Sequence, residues 1–156
     1  MVLGNGSVLD PDAILVSVNT MADQLGRGVL RTRYKNTRHG EYEDTPSRPR
    51  EARITVRPGI HQQAGYFDIQ WWANEDYKYH YREQDLEFRF GCENANENTT
   101  SPVYHFHPPN DLDTHTPSCI GTDHPPERVT RAVLTTWWAA VQRGDEAVLN
   151  TQDGLP

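Results

Sequence analysis

Two histidines separated by one residue give the sharpest chemical signal in the sequence. His105 and His107 lie in a short extended segment, and residues i and i+2 of a strand project to the same side of a sheet. Two imidazoles on one side can bind a divalent metal ion if a third ligand comes from His80, His115 or His124. They can also act as general base and general acid, because imidazole titrates near neutral pH. So short a pattern is also typical of polar residues on an exposed strand.

A second group of basic side chains precedes this pair. His80 lies between Lys78 and Arg82 on one face of a predicted strand, and Arg89 lies on the strand that follows. Guanidinium groups bind phosphate oxygens through two parallel hydrogen bonds, so this face could hold the scissile phosphate of RNA. The alternative is that both arginines pair with acidic residues of the same hairpin, namely Glu83 and Glu87. Each such exposed pair contributes less than ~1 kcal/mol.

Aromatic rings surround these basic residues and have two possible roles. Tyr77, Tyr79 and Tyr81 alternate along one strand after Trp71 and Trp72, and such rings can stack on nucleic acid bases. Because the chain has few aliphatic residues, the tyrosine pattern is more typical of a core face. Tyr79 is nevertheless retained as a candidate substrate-binding residue.

Two helices are predicted from apolar spacing and capping residues. The first begins after Asp10 and continues to Gly26, and the second begins at Pro125-Pro126 and ends before Gly144. In the second helix Trp137 lies on the apolar stripe, whereas Trp138 lies beside it and could face a partner.

Between the helices the sequence alternates between apolar and polar residues in several short runs. We predict extended segments at 29–35, 52–57, 66–73, 77–82, 86–90 and 103–107, and loops at 36–50 and 108–126. The predicted fold is therefore α+β, with an antiparallel sheet of about five strands covered on one face by an N-terminal and a C-terminal helix.

Length and composition restrict the class of protein. A chain of 156 residues fits one domain, which we predict at 10–143 with flexible tails at 1–9 and 144–156. No apolar run is long enough for a membrane span, and the first residues lack the pattern of a secretory signal. Two cysteines, Cys92 and Cys119, are too few for a disulfide framework and lack the CxxC spacing of zinc or redox sites. These features predict a cytoplasmic protein without membrane contact.

The charged residues are biased in a way that is typical of salt-adapted, haloarchaeal proteomes. Only Lys35 and Lys78 are lysines, against 22 acidic residues and a net charge of −7. Acidity usually argues against nucleic acid binding. In a halophilic protein it is a general surface trait, so the placement of the arginines is more informative.

The histidine and arginine segments resemble the TumE-like toxin family of toxin-antitoxin modules. The resembling features are residues 77–82 and 86–90, Asn94, and residues 102–107 with their His105-Phe106-His107 ending. Family members carry a strand with tyrosine and histidine, a strand ending in Phe-Arg-aromatic-Asp-Asn, and a Pro-His-His-x-His motif. The likeness covers about thirty residues, from Tyr77 to Pro109. The family's Asp-Asn becomes Gly91-Cys92-Glu93-Asn94 here, so Glu93 would have to replace the aspartate, and one histidine of the triple becomes Tyr104 or Val103.

The resemblance and the side chains together predict a toxin-like ribonuclease that needs neither metal nor cofactor. The predicted catalytic residues are His80, Arg89, His105 and His107, and the predicted substrate-binding residues are Lys78, Tyr79, Arg82 and Glu93. The resemblance implies a helix-turn-helix antitoxin as partner and RNA as substrate. Two alternatives stay open: a non-enzymatic module that docks another protein through the helix bearing Trp138, and a metal-binding protein that uses His105 and His107.

Overall fold

The first helix begins and ends where the sequence predicts. A computed structural model describes residues 8–120 and 124–150 of the chain. In it α1 spans Pro11–Leu25, and the Asp10 carboxylate accepts a hydrogen bond from the Ala13 N–H at 3.1 Å. The helix ends at Gly26, whose φ of 50° is a left-handed conformation that glycine adopts at little cost.

All the strands belong to one antiparallel sheet. They are β1 (Val29–Lys35), β2 (Tyr42–Glu43), β3 (Glu51–Val56), β4 (Gly65–Trp71), β5 (Tyr77–Glu83), β6 (Leu86–Cys92), β7 (Tyr104–His107) and β8 (Thr116–Pro117). Their order in the sheet is β2-β1-β3-β4-β5-β6-β7-β8. From β3 onward each strand therefore pairs with the next strand in sequence, so residues on successive strands become cross-strand neighbours.

The prediction of about five strands is wrong, because the sheet has eight. The two strands that sequence patterns miss are β2 and β8, which lie within the segments predicted as loops. Each has only two residues and lies at an edge of the sheet, so neither is long enough to show the alternation that identifies a strand. The predicted α+β class, the antiparallel pairing and the two helices are confirmed.

Both helices cover the same face of the sheet, and that face forms the core. The second helix, α2, spans Pro126–Arg143 and ends at Gly144 with φ 60°. Trp137 is fully buried and its ring lies 5.8 Å from that of Phe67 and 6.1 Å from that of Tyr81, whereas Trp138 is 41% exposed. The largest buried rings of the sheet are Phe67, Tyr79, Tyr81, Phe88, Phe90 and Phe106.

The described ends of the predicted tails pack against the domain. Leu9 bridges Trp72, and the Val8 carbonyl accepts a hydrogen bond from the Ala73 N–H at 2.8 Å. A short 3₁₀ turn at Glu146–Asn150 buries Leu149 completely. The remaining residues of the predicted tails, 1–7 and 151–156, lie outside the described residues.

Candidate active surface on the open face of the sheet

One face of the sheet is covered by neither helix, and we call it the open face. Side chains alternate between the two faces along each strand, so cross-strand neighbours form rows that run across it. The central row consists of Arg53 on β3, Asp68 on β4, His80 on β5, Arg89 on β6 and His107 on β7. The sheet register thus brings His80, Arg89 and His107, which lie on three successive strands, into adjacent positions.

Two flanking rows carry most of the other predicted site residues. Lys78, Gly91 and His105 are successive neighbours on one side of the central row, and Arg82 is paired with Glu87 on the other. Glu93 follows Gly91 at the same two-residue spacing and is buried. Burial lowers the pKa of Arg89, and the negative charges of Glu87 and Glu93 offset part of this lowering. Of the eight predicted site residues, seven therefore lie on or beside the open face.

Tyr79 is the exception, because it points into the core. Its hydroxyl lies 2.9 Å from Ser17 Oγ on α1 and 2.6 Å from Thr130 Oγ1 on α2, and it accepts a hydrogen bond from Trp71 Nε1 at 2.9 Å. Burial raises the pKa of the Tyr79 hydroxyl to about 12. Tyr79 therefore joins both helices to the sheet and does not reach the surface where a substrate would lie.

His80 shares a carboxylate with Arg82. Its Nε2 lies 2.8 Å from Glu87 Oε1, and Arg82 Nε donates to the same oxygen at 3.3 Å. Burial lowers the pKa of His80, while the hydrogen bond to Glu87 raises it in part. Arg82 Nε also lies 3.3 Å from His80 Nε2, but the shorter contact with the Glu87 carboxylate requires a proton on Nε2. A neutral His80 that donates from Nε2 to Glu87 carries its lone pair on Nδ1, which is the form of a general base.

Arg89 is a half-buried guanidinium that forms no salt bridge with any carboxylate in residues 8–120 or 124–150. Its guanidinium contacts His107, with Arg89 Nη2 lying 3.4 Å from His107 Nε2. Burial lowers the pKa of Arg89, and burial also lowers the pKa of Lys78 in the neighbouring row. The two cations are thus held at a partly desolvated surface, where an anionic ligand gains most from them.

The alternative in which both hairpin arginines simply pair with glutamates holds for Arg82 alone. Glu87 accepts from Arg82. Glu83 instead accepts hydrogen bonds from the backbone N–H groups of residues 60, 61 and 62, at 2.7, 2.8 and 2.9 Å. This leaves Arg89 without the partner that the sequence pattern offered.

Three histidines converge beside Arg89. The rings of His105 and His107 lie 5.0 Å apart, and His115 lies 5.2 Å from the first and 4.2 Å from the second. One nitrogen of each ring lies within 4.8 Å of the other two. His105 and His107 are buried, and His115 is exposed. His80 and His124, which the sequence also offered as third ligands, are not part of this group.

The local environment determines the protonation state of the His105 and His107 rings on β7. His105 Nδ1 donates to the Val103 carbonyl at 3.2 Å, so its Nε2 carries the lone pair and lies over Gly91. Burial lowers the pKa of His105, and burial together with the charge of Arg89 lowers the pKa of His107 to about 3. Both rings are therefore neutral near pH 7, which suits a proton acceptor or a metal ligand and not a proton donor.

The other half of the open face holds a structural ion pair. Arg53 binds Asp68 through two hydrogen bonds of 2.8 and 2.9 Å, and its guanidinium lies over the rings of Tyr42 and Tyr66 at 4.5 and 4.3 Å. Such a bidentate and stacked arginine is already satisfied. The chemistry of the open face is therefore concentrated on β5, β6 and β7.

Two residues that position the histidines of the open face were not identified as site residues from the sequence. Glu87 orients His80, and Gly91 makes room for His105, since a Cβ at this position would lie 2.5 Å from His105 Nε2. A signal existed for Gly91, because a glycine within a strand often marks a close approach of another group. No comparable signal distinguished Glu87 from an ordinary hairpin glutamate.

The comparison with known proteins agrees with the motifs on this surface. A family model described as "Toxin TumE" matches residues 27–143, which run from the turn before β1 to the end of α2. No curated protein and no solved structure matches the chain significantly. Among the described helices none has the length and apolarity needed to cross a membrane. The match covers about three quarters of the 156 residues, so the chain belongs to the TumE toxin family.

Proposed function

We propose that this toxin cleaves RNA on the open face of its sheet. The observation that carries the proposal is Arg89, a half-buried guanidinium without a carboxylate partner among the described residues, between His80 and His107. In a chain of net charge −7, an arginine that forms no ion pair is well placed to receive an external anion. A phosphodiester is the anion that its planar fork fits best.

The phosphate would be held between two strands. Arg89 on β6 supplies a guanidinium that forms no salt bridge with the described carboxylates, and Arg82 on β5, which is more exposed, reaches the same area from the neighbouring row. Lys78 adds a third positive charge on the other side of His80. These cations would also stabilise the additional negative charge that develops on phosphorus during cleavage.

His80 is the best candidate for proton transfer. In its neutral form it would take the proton of the ribose 2′-hydroxyl as the 2′-oxygen forms a bond to phosphorus. The bond from phosphorus to the 5′-oxygen then breaks, and the charged imidazole returns the proton to that oxygen. The products are a 2′,3′-cyclic phosphate and a 5′-hydroxyl, and Glu87 would stabilise the charged ring meanwhile. His105 and His107 are proposed as further imidazoles of the same active surface.

Membership in a toxin family implies an antitoxin, and we propose a helix-turn-helix protein for this role. One surface that fits a protein partner lies away from the open face. Trp138 is 41% exposed beside a groove of about 580 Å³ that Leu25 and Leu134 also line. Exposed tryptophan is typical of protein interfaces, and this groove is also the surface that a purely protein-binding function would use.

Growth arrest tests the proposed activity in cells. We expect expression of the wild type in a salt-tolerant host lacking the antitoxin to stop growth. Arg89→Ala, His105→Ala and His107→Ala should each relieve the arrest, whereas Arg128→Ala on the exposed side of α2 should not. Soluble yield of every variant must be measured, because an unfolded toxin is also harmless. A harmless, soluble wild type that leaves cellular RNA intact would favour the protein-binding function.

A further inference from the structure

We propose that His105, His107 and His115 form a binding site for one divalent transition-metal ion, with zinc as the best fit. The site goes beyond the proposed function, because metal binding does not depend on whether the toxin cleaves RNA. The sequence favoured a metal-independent protein because it shows no extended pattern of ligands. The third ligand comes from a loop whose position depends on the pairing of β8 with β7.

The pairing of β7 with β8 explains why the three rings meet. His105 is opposite Pro117 and Phe106 is opposite Thr116, so the next position of the same register sets His107 opposite His115. In an antiparallel pair such residues project to the same side. The three rings therefore share one side of a two-stranded edge, with 4.2 to 5.2 Å between their centres.

The loop that carries His115 is fixed at both ends. Near its start, Asn110 donates from its backbone to the Glu87 carbonyl at 2.8 Å and accepts from the Glu87 N–H at 3.1 Å. At its end, Thr116 Oγ1 donates to the Phe106 carbonyl at 3.1 Å, and the Ser118 N–H donates to the Tyr104 carbonyl at 3.1 Å. His115 is thus held over β7, and only a small movement of its exposed ring is needed to complete a site.

The size of that movement follows from zinc geometry. Zinc–nitrogen bonds of about 2.0–2.1 Å at tetrahedral angles separate ligand nitrogens by about 3.4 Å. The three nitrogens lie within 4.8 Å of one another. Completing the site therefore shortens a nitrogen–nitrogen separation by at most about 1.4 Å, and for the two pairs that include His115 the rotation of its exposed ring can supply this change.

The two buried rings have the features of ligands. The Val103 carbonyl accepts from His105 Nδ1 and so leaves the ring's lone pair on Nε2, a backbone contact that metal-binding histidines commonly make. His107 is only 1% exposed, and its buried Nδ1 forms no hydrogen bond with the described residues. Such a buried nitrogen is unfavourable, and coordination of a metal ion through Nδ1 would satisfy it.

The ligand set selects the kind of metal. Three imidazoles and no carboxylate suit zinc, nickel, cobalt or copper, and not magnesium or calcium, which prefer oxygen ligands. The described residues contribute three ligands to this group, so a fourth position stays open toward solvent on the exposed His115 side. Arg89, 3.4 Å from His107, opposes a cation by its charge, and we therefore expect weaker binding than in a closed four-ligand site. With the ion bound, His80 remains the imidazole available for proton transfer.

Binding of the metal alone tests the proposal without any assay of activity. The full chain is stripped with a chelator, and zinc is titrated by calorimetry, with cobalt as a spectroscopic probe of tetrahedral coordination. We expect one equivalent of zinc per chain. His115→Ala should weaken binding at least ~10- to 100-fold without unfolding the protein, because this side chain is exposed. His39→Ala, on an exposed loop far from the cluster in sequence, is the matched control and should bind like the wild type.

Two results would overturn the site. One is the absence of stoichiometric zinc or cobalt binding by the folded wild type, as judged by its circular dichroism. The other is unchanged affinity in both His115→Ala and the buried-ligand variant His107→Ala. A wild type that binds zinc through these residues and leaves RNA intact would support the metal site while rejecting the proposed ribonuclease.

Discussion

Replacing Gly91 by alanine tests whether His105 must lie where the structure has it. The added Cβ would lie 2.5 Å from His105 Nε2 and 3.1 Å from its Cε1, whereas ordinary contacts begin near 3.4 Å, so the ring must retreat by about 0.9 Å. The ring is the free end of its side chain, and alanine is favoured over glycine in a strand by roughly 0.5–1 kcal/mol. We therefore expect the free energy of unfolding to change by less than ~1 kcal/mol.

Activity should respond much more strongly than stability. A displacement of about 1 Å in an active site can lower the rate ~100-fold, so Gly91→Ala should lose about two orders of magnitude in RNA cleavage while urea unfolding hardly changes. The control is the same substitution in a His105→Ala background, where no ring is left to displace and no further loss in rate is expected. A Gly91→Ala protein with the wild-type cleavage rate, or with equal losses in both backgrounds, would refute the reasoning.

Three further predictions concern the core, the general base and the first helix. Trp137→Ala should lower the free energy of unfolding by about 3–5 kcal/mol, and Trp138→Ala should lower it far less, because of the two only Trp137 is fully buried. Equal losses of the two variants in denaturant titrations would contradict this prediction. Since burial lowers the pKa of His80, the acidic limb of the pH–rate profile should have its midpoint below the ordinary histidine value of about 6.5. Glu87→Gln removes the carboxylate charge that helps to raise this pKa, so the midpoint should move to lower pH. A move to higher pH would count against His80 as the base. Asp10→Ala should cost about 1 kcal/mol of stability, measured by thermal unfolding, through loss of the helix cap.

Much of the fold could be predicted because its long elements repeat a clear pattern. The six longer strands alternate between apolar and polar residues, and α1 carries a capping aspartate followed by proline. The two-residue strands β2 and β8 carry no such pattern, since their pairing is decided by the register of the sheet. Because β8 was not predicted, the position of His115 opposite His107 could not be derived from the sequence.

The candidate site was predicted in part for the same reason. Lys78, His80 and Arg82 alternate with buried tyrosines, so their common face follows from the period of a strand. The same period assigns Tyr79 to the opposite face. The prediction that Tyr79 binds substrate rested on the stacking chemistry of its ring and not on its position in the strand. That Arg89 has no carboxylate partner within residues 8–120 and 124–150 could not be predicted, because it arises from Glu87 contacting His80 and Arg82 instead.

The most direct test of the central claim is the rate at which purified protein cleaves RNA in high salt, compared between the wild type and His80→Asn. We expect the wild type to produce fragments with 2′,3′-cyclic phosphate and 5′-hydroxyl ends, and His80→Asn to be slower by roughly 10²–10⁴-fold. His39→Asn, at an exposed position, should cleave like the wild type. Intact RNA with folded wild-type protein, or equal rates for the wild type and His80→Asn, would contradict the account.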